Sequence, residues 1–108
     1  MKIGDIILIP YPFAELTNKK IRPVVVIAET SDKYKDLVVS AISSVIPDQL
    51  SKREIVLIHG GQNHLRVDSV IKIDRIVTLK REDKISNMGS LSPLELDEFK
   101  AILHDMVK

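Results

Sequence analysis

The run Pro23-Val24-Val25-Val26-Ile27-Ala28 restricts the fold more than any other stretch of this chain. It is too short for a helix, and its β-branched side chains are stiff at χ1 and favour extended backbone. A strand with such a run is apolar on both faces and must be covered twice. One covering is the core of a barrel; the other is a helix or a second subunit.

The remaining segments read as further short strands. Residues 5–9 are apolar and β-branched, and the stretch Pro10-Tyr11-Pro12-Phe13 stops them because each proline removes a ladder donor. A polar loop through Thr17, Asn18, Lys19 and Lys20 leads into the Val/Ile run. Strands are expected at 37–44, at 54–58 up to the Gly60-Gly61 turn, and at 69–73 and 76–79, the last two split by Asp74-Arg75. Ser92-Pro93-Leu94-Glu95 then opens a helix, with Ser as N-cap, Pro at the first helical position and Glu three residues after the cap. Leu94, Phe99, Ile102, Leu103 and Met106 are expected on its buried face. The predicted architecture is mainly β: a small, strongly bent antiparallel barrel of about five strands, closed by one C-terminal helix. At 108 residues it is read as one domain, 1–108.

Several function classes fall away. The chain has no cysteine, which excludes disulfide scaffolds and thiolate-held zinc or iron–sulfur centres. An aromatic share of 4% is too small for a protein that stacks successive bases on exposed rings. No apolar stretch reaches membrane-spanning length, and Asp5 precedes any signal-like apolar region, so a soluble cytoplasmic protein is expected.

Few residues offer chemistry. Arg22 stands at a loop–strand junction directly before Pro23, which pushes it into extended geometry and fixes where the guanidinium starts. It either serves a functional site or snorkels at the strand end beside a surface acid. Ser43 and Ser44 place hydroxyls at the end of the third strand, fit to meet a phosphate oxygen or to satisfy the turn backbone. Lys72 and Asp74 are alternate residues of one strand and so share a face, as acid–base groups or as an exposed ion pair. Lys19 and Lys20 join Arg22 in the densest basic cluster of the first half. His59, His64 and His104 fit no metal spacing, and no histidine pair of a ribonuclease is indicated; they read as surface or turn residues.

The stretch from Gly4-Asp5 through Pro10-Tyr11-Pro12-Phe13, then Arg22-Pro23-Val24-Val25-Val26-Ile27, resembles the MazF/PemK/Kid toxins. So do Leu37-Val38-Val39-Ser40-Ala41-Ile42-Ser43, Ser69-Val70-Ile71-Lys72-Ile73-Asp74 and Met88-Gly89-Ser90-Leu91-Ser92, in the family's order. The resemblance implies an SH3-like barrel that works as a homodimer and cleaves single-stranded RNA at short sequences without a metal or other cofactor. It also implies a cognate antitoxin, with which such a toxin binds DNA as a complex. The family's Arg of the Arg-Pro motif falls on Arg22, and its strand-end hydroxyl, commonly Thr, falls on Ser43. In the Kid-like branch an Arg and an Asp two apart also contribute; Asp74 matches the acid and Lys72 replaces the Arg. RNA contacts are expected from Lys19, Lys20, Ser44 and Lys72, with Arg22, Ser43 and Asp74 as the catalytic set. Two other readings stay open: a non-enzymatic barrel toxin that poisons a protein such as DNA gyrase, and a degenerate binding module.

The net charge of +1 does not exclude RNA. Residues 92–108 hold four acids and two bases, whereas residues 1–91 hold fourteen bases and eleven acids, a net of +3. A mildly basic barrel carries an acidic helix, which suits binding through a few placed groups and a shallow salt dependence.

Overall fold

Val24, Val25 and Val26 are all fully buried, and they lie in β2 (Ile21–Glu29). Alternation sends Val25 to one face, where it packs with Ile6, Ile42, Ile55, Ile71 and Phe99. Val24 and Val26 go to the other face, with Ile7, Ile9, Leu37 and Val39. Both faces are therefore filled within one chain, and the doubly apolar strand needs no second subunit to cover it.

The computed structural model describes residues 1–10 and 20–108. Around β2 lie β1 (Asp5–Pro10), β3 (Leu37–Ser43), β4 (Glu54–Leu57), β5 (Ser69–Leu79) and β6 (Ser86–Ser90). They form one six-stranded antiparallel sheet in the order β4-β5-β3-β2-β1-β6, curled into a half-barrel. The helix α1 (Pro93–Met106) caps the face that holds Val25, through Phe99 and the partly buried Leu96, Ile102, Leu103 and Met106. Its start is built as the sequence indicates. The Ser92 hydroxyl accepts from the Glu95 N–H at 3.2 Å, and the Glu95 carboxylate accepts from the Ser92 N–H at 2.8 Å.

Four expectations need correction. Leu94 is 79% exposed, because five residues at 100° each turn it well away from Phe99; Leu96, three before Phe99, takes its place. Asp74-Arg75 does not split two strands, since β5 runs unbroken through both. Residues 73–75 are instead extra on β5: Ser40 pairs with Ile76, while the next residue, Ala41, pairs with Lys72. The bulge is pinned by the buried Ser40 hydroxyl, which donates to the Ile73 carbonyl at 2.9 Å, and by the Ile73 N–H, which donates to the Arg53 carbonyl at 3.0 Å. A sixth strand, β6, pairs with β1 although Ser-Asn-Met-Gly-Ser is a weak strand former. Gly89 lets this strand lie close against residues 61–63, because a Cβ there would collide with the Gln62 carbonyl oxygen. Ser44 and Ile58 fall just outside the strands assigned to them. No helix among the described residues is long and apolar enough to cross a membrane.

Candidate active site

Pro23 shapes the place where Arg22 emerges. It has no N–H to give, and the ladder from β2 to β3 begins only at Val24, opposite Ala41. On the other side Arg22 is paired with Ile9 of β1, so its backbone is fixed. Extending the Val24–Ala41 register by two residues sets Arg22 abreast of Ser43, the last residue of β3. Residues so placed lie at one end of the sheet and share a face. That face is the one holding Ile9 and Val24, opposite the helix. Arg22 is half-buried at its rim and forms no ion pair among the described residues.

Ser43 is half-buried, and its oxygen accepts from the Val45 N–H at 3.1 Å. The hydroxyl thus does satisfy the turn, but as acceptor only. Its own proton has no partner among the described residues and can be donated to an anionic oxygen beside Arg22. A guanidinium and a free O–H on adjacent strands make a two-point holder for a phosphoryl group.

The other expected residues divide. Lys20 and Ser44 are exposed next to Arg22 and Ser43 in the chain, at the same end of the sheet. Lys19 lies outside the described residues. Lys72 shares the Arg22 face through its pairing with Ala41, but its ammonium donates to Glu54 Oε2 at 2.9 Å across β4 and β5. The Ser51 N–H, first, and the Lys72 ammonium hold the Glu54 carboxyl below the usual range. Lys72 and Asp74 therefore do not form the pair that strand alternation suggested. Asp74 is exposed within the bulge, which begins directly after the Lys72 that pairs with Ala41.

Sequence reasoning overlooked one group at the Arg22 end. His59 follows β4 and Asp68 precedes β5, and the imidazole Nδ1 lies 2.6 Å from Asp68 Oδ1. The His59 N–H also donates to that oxygen, at 3.0 Å. These bonds, the backbone one first, hold the Asp68 carboxyl below its ordinary value. The signal lay in the hairpin: with Leu57 opposite Ser69, Asp68 falls opposite Ile58, one residue from His59. His64 instead bonds the Met88 carbonyl at 2.6 Å, next to the β6 contact. No group of His, Asp and Glu among the described residues could hold a metal ion.

A family model of PemK-like, MazF-like toxins of type II toxin–antitoxin systems matches residues 2–107. No sequence among the curated proteins matches significantly. Among solved structures, one titled an endoribonuclease in complex with its cognate antitoxin, from Mycobacterial species, is similar with a TM-score of 0.73 at 10% identity. The match covers 97% of this chain and 92% of that one.

Proposed function

The chain belongs to the PemK-like, MazF-like toxins of type II toxin–antitoxin systems, and from that premise we propose that it is an endoribonuclease that cleaves single-stranded RNA without a metal ion. The RNA supplies its own nucleophile: a 2′-hydroxyl attacks the adjacent phosphorus and expels the 5′-oxygen. The protein's task is to bear the charge that grows on the non-bridging oxygens. Arg22 bears it with fixed N–H groups, and the Ser43 O–H positions the same phosphate. Arg22 keeps its proton throughout, because a guanidinium is too weak an acid to surrender it. Lys20, Ser44 and Lys19 guide the flanking backbone, and Lys72 adds charge on the same face while bound to Glu54. Asp74, displaced by the bulge, has no step in this scheme.

The observation that supports the reading is the Val24–Ala41 pairing, whose continuation by two residues brings Arg22 and Ser43 to one face at the proline-ended mouth between β2 and β3. The structural neighbour, titled an endoribonuclease with its antitoxin, supports a similar partnership here: a cognate antitoxin that covers Arg22 with an acidic or amphipathic segment. A homodimer is proposed on the family resemblance alone, since the core is already filled within one chain.

The direct test is to incubate the protein with a mixed-sequence single-stranded transcript in excess chelator. The expected products carry 2′,3′-cyclic phosphate and 5′-hydroxyl ends. Cleavage that stops when metal is removed would sink the metal-independent scheme, and intact RNA throughout would sink the nuclease.

A further inference from the structure

Arg22 and Ser43 account for charge and position, but neither supplies a proton to the departing 5′-oxygen. A group that does so near neutral pH is most readily a histidine, the one side chain whose ordinary pKa lies in that range. The His59–Asp68 pair is at the same end of the sheet. Val70 pairs with Ser43, and Asp68 is the next residue on that face. Such diagonal neighbours have Cα atoms about 7–8 Å apart, within reach of aromatic and long side chains, so the ring that Asp68 holds can approach the leaving oxygen of a phosphate bound at Ser43. The side chains of His59 and Asp68 remain 54% and 46% exposed, so substrate can reach them.

The loop that carries His59 is tied down by polar bonds. Asn63 is buried, and its amide donates to the Ile58 carbonyl at 2.8 Å while its oxygen accepts from the N–H groups of Gly60 at 3.1 Å and Leu65 at 2.9 Å. One side chain thus ties together the residues on both sides of His59 and closes the turn beyond it. Asp68 can only accept when ionised, so Nδ1 carries the hydrogen of that bond and Nε2 is the ring atom left to exchange a proton. A carboxylate fixing one ring nitrogen of a half-exposed imidazole is an arrangement suited to proton transfer at the other.

Resting on the ribonuclease reading above, we propose that His59 is a catalytic residue whose Nε2 donates the proton to the 5′-oxygen, and that Asp68 is its positioning residue. In the step, the 2′-oxygen–phosphorus bond forms and the phosphorus–5′-oxygen bond breaks. The 2′-hydroxyl proton passes to water, and the Nε2 proton of the imidazolium passes to the leaving oxygen. The products are a 2′,3′-cyclic phosphate and a 5′-hydroxyl, and solvent returns the proton to the ring.

The test uses the full chain and a single-stranded oligonucleotide containing the site that wild-type protein cuts in a mixed transcript. A second oligonucleotide replaces the bridging 5′-oxygen at that site with sulfur, which leaves as a thiolate and needs no proton. His59→Ala is expected to lower the rate on the oxygen substrate by about 10²–10⁴-fold and to cut the sulfur substrate at close to the wild-type rate. Asp68→Asn should show a smaller loss with the same rescue by sulfur, which a merely structural role would not produce. Arg22→Ala should stay slow on both. Wild-type rates for His59→Ala on the oxygen substrate, or equal slowing on both, would overturn the assignment while leaving the nuclease intact. A wild-type protein that cuts no RNA would overturn both.

Discussion

Ser40 and Ser43 stand on the same strand, and their odd spacing sends them to opposite faces of the sheet. Ser40 is fully buried, and its hydroxyl is spent on the Ile73 carbonyl that the bulge would otherwise leave without a partner. Ser43 sits at the strand end, takes one bond from the turn and keeps its proton. The same contrast separates the wider regions. In the bulge, the Ile73 N–H and carbonyl and the Ser40 hydroxyl are all satisfied internally. At the strand ends near Pro23, the Arg22 guanidinium and the Ser43 hydroxyl proton, and beyond β5 the His59 Nε2, lack partners among the described residues. Burying a polar group without a bond costs free energy, so groups left unspent remain at the rim, where water holds them until a ligand arrives. Chemistry is expected where the bonds are unspent, and stability where they are spent.

Three changes sharpen that contrast. Arg22→Ala should lower the rate of RNA cleavage by about 10²–10³-fold, the loss typical of removing a donor to developing charge. Thermal melting should barely move, and a large fall in Tm would place Arg22 among the structural groups. Ser40→Ala should do the reverse. It leaves the Ile73 carbonyl unsatisfied and should cost about 1–3 kcal/mol, read by denaturant unfolding, with the cleavage rate of the folded protein unchanged. Glu54→Gln should have the smallest effect. Because the folded carboxyl titrates below its ordinary value of 4.5, it stabilises the protein above that pH, and the benefit is lost as pH falls through the lower folded value. Melting curves from pH 7 downward should show wild type losing its advantage over the variant below about pH 4.5; a gap that widened on acidification would contradict the linkage.

Much of this was written locally and could be read there. The start of α1 is specified by Ser92, Pro93 and Glu95, three residues whose roles depend on one turn of backbone. The strands rich in Val and Ile likewise announce themselves. Harder to read were features set by residues distant in the chain. Ser86–Ser90 is a strand because β1 offers backbone groups to it and because Gly89 fits against Gln62, neither of which its own composition shows. Asp74-Arg75 looked like a break because polar residues interrupted an apolar pattern, whereas a buried hydroxyl on a neighbouring strand turns the interruption into a bulge. At the proposed site, Arg22 and Ser43 were singled out by their junction positions, and their roles by the family resemblance. His59 was not, since it was weighed against His64 along the chain while its partner, Asp68, lies across the hairpin. Lys72 and Asp74 were read as alternate residues of a regular strand, whereas the bulge begins directly after Lys72, whose ammonium is bound to Glu54 across the sheet.

The central claim is that Arg22 and Ser43 act together on one phosphate. A double-mutant cycle measures it: cleavage rates for wild type, Arg22→Ala, Ser43→Ala and the double variant on one RNA. Groups that share a partner show coupling of about 0.5–3 kcal/mol, so the double variant should be markedly less impaired than the product of the single losses. Losses that multiply independently would contradict the account and separate the two residues.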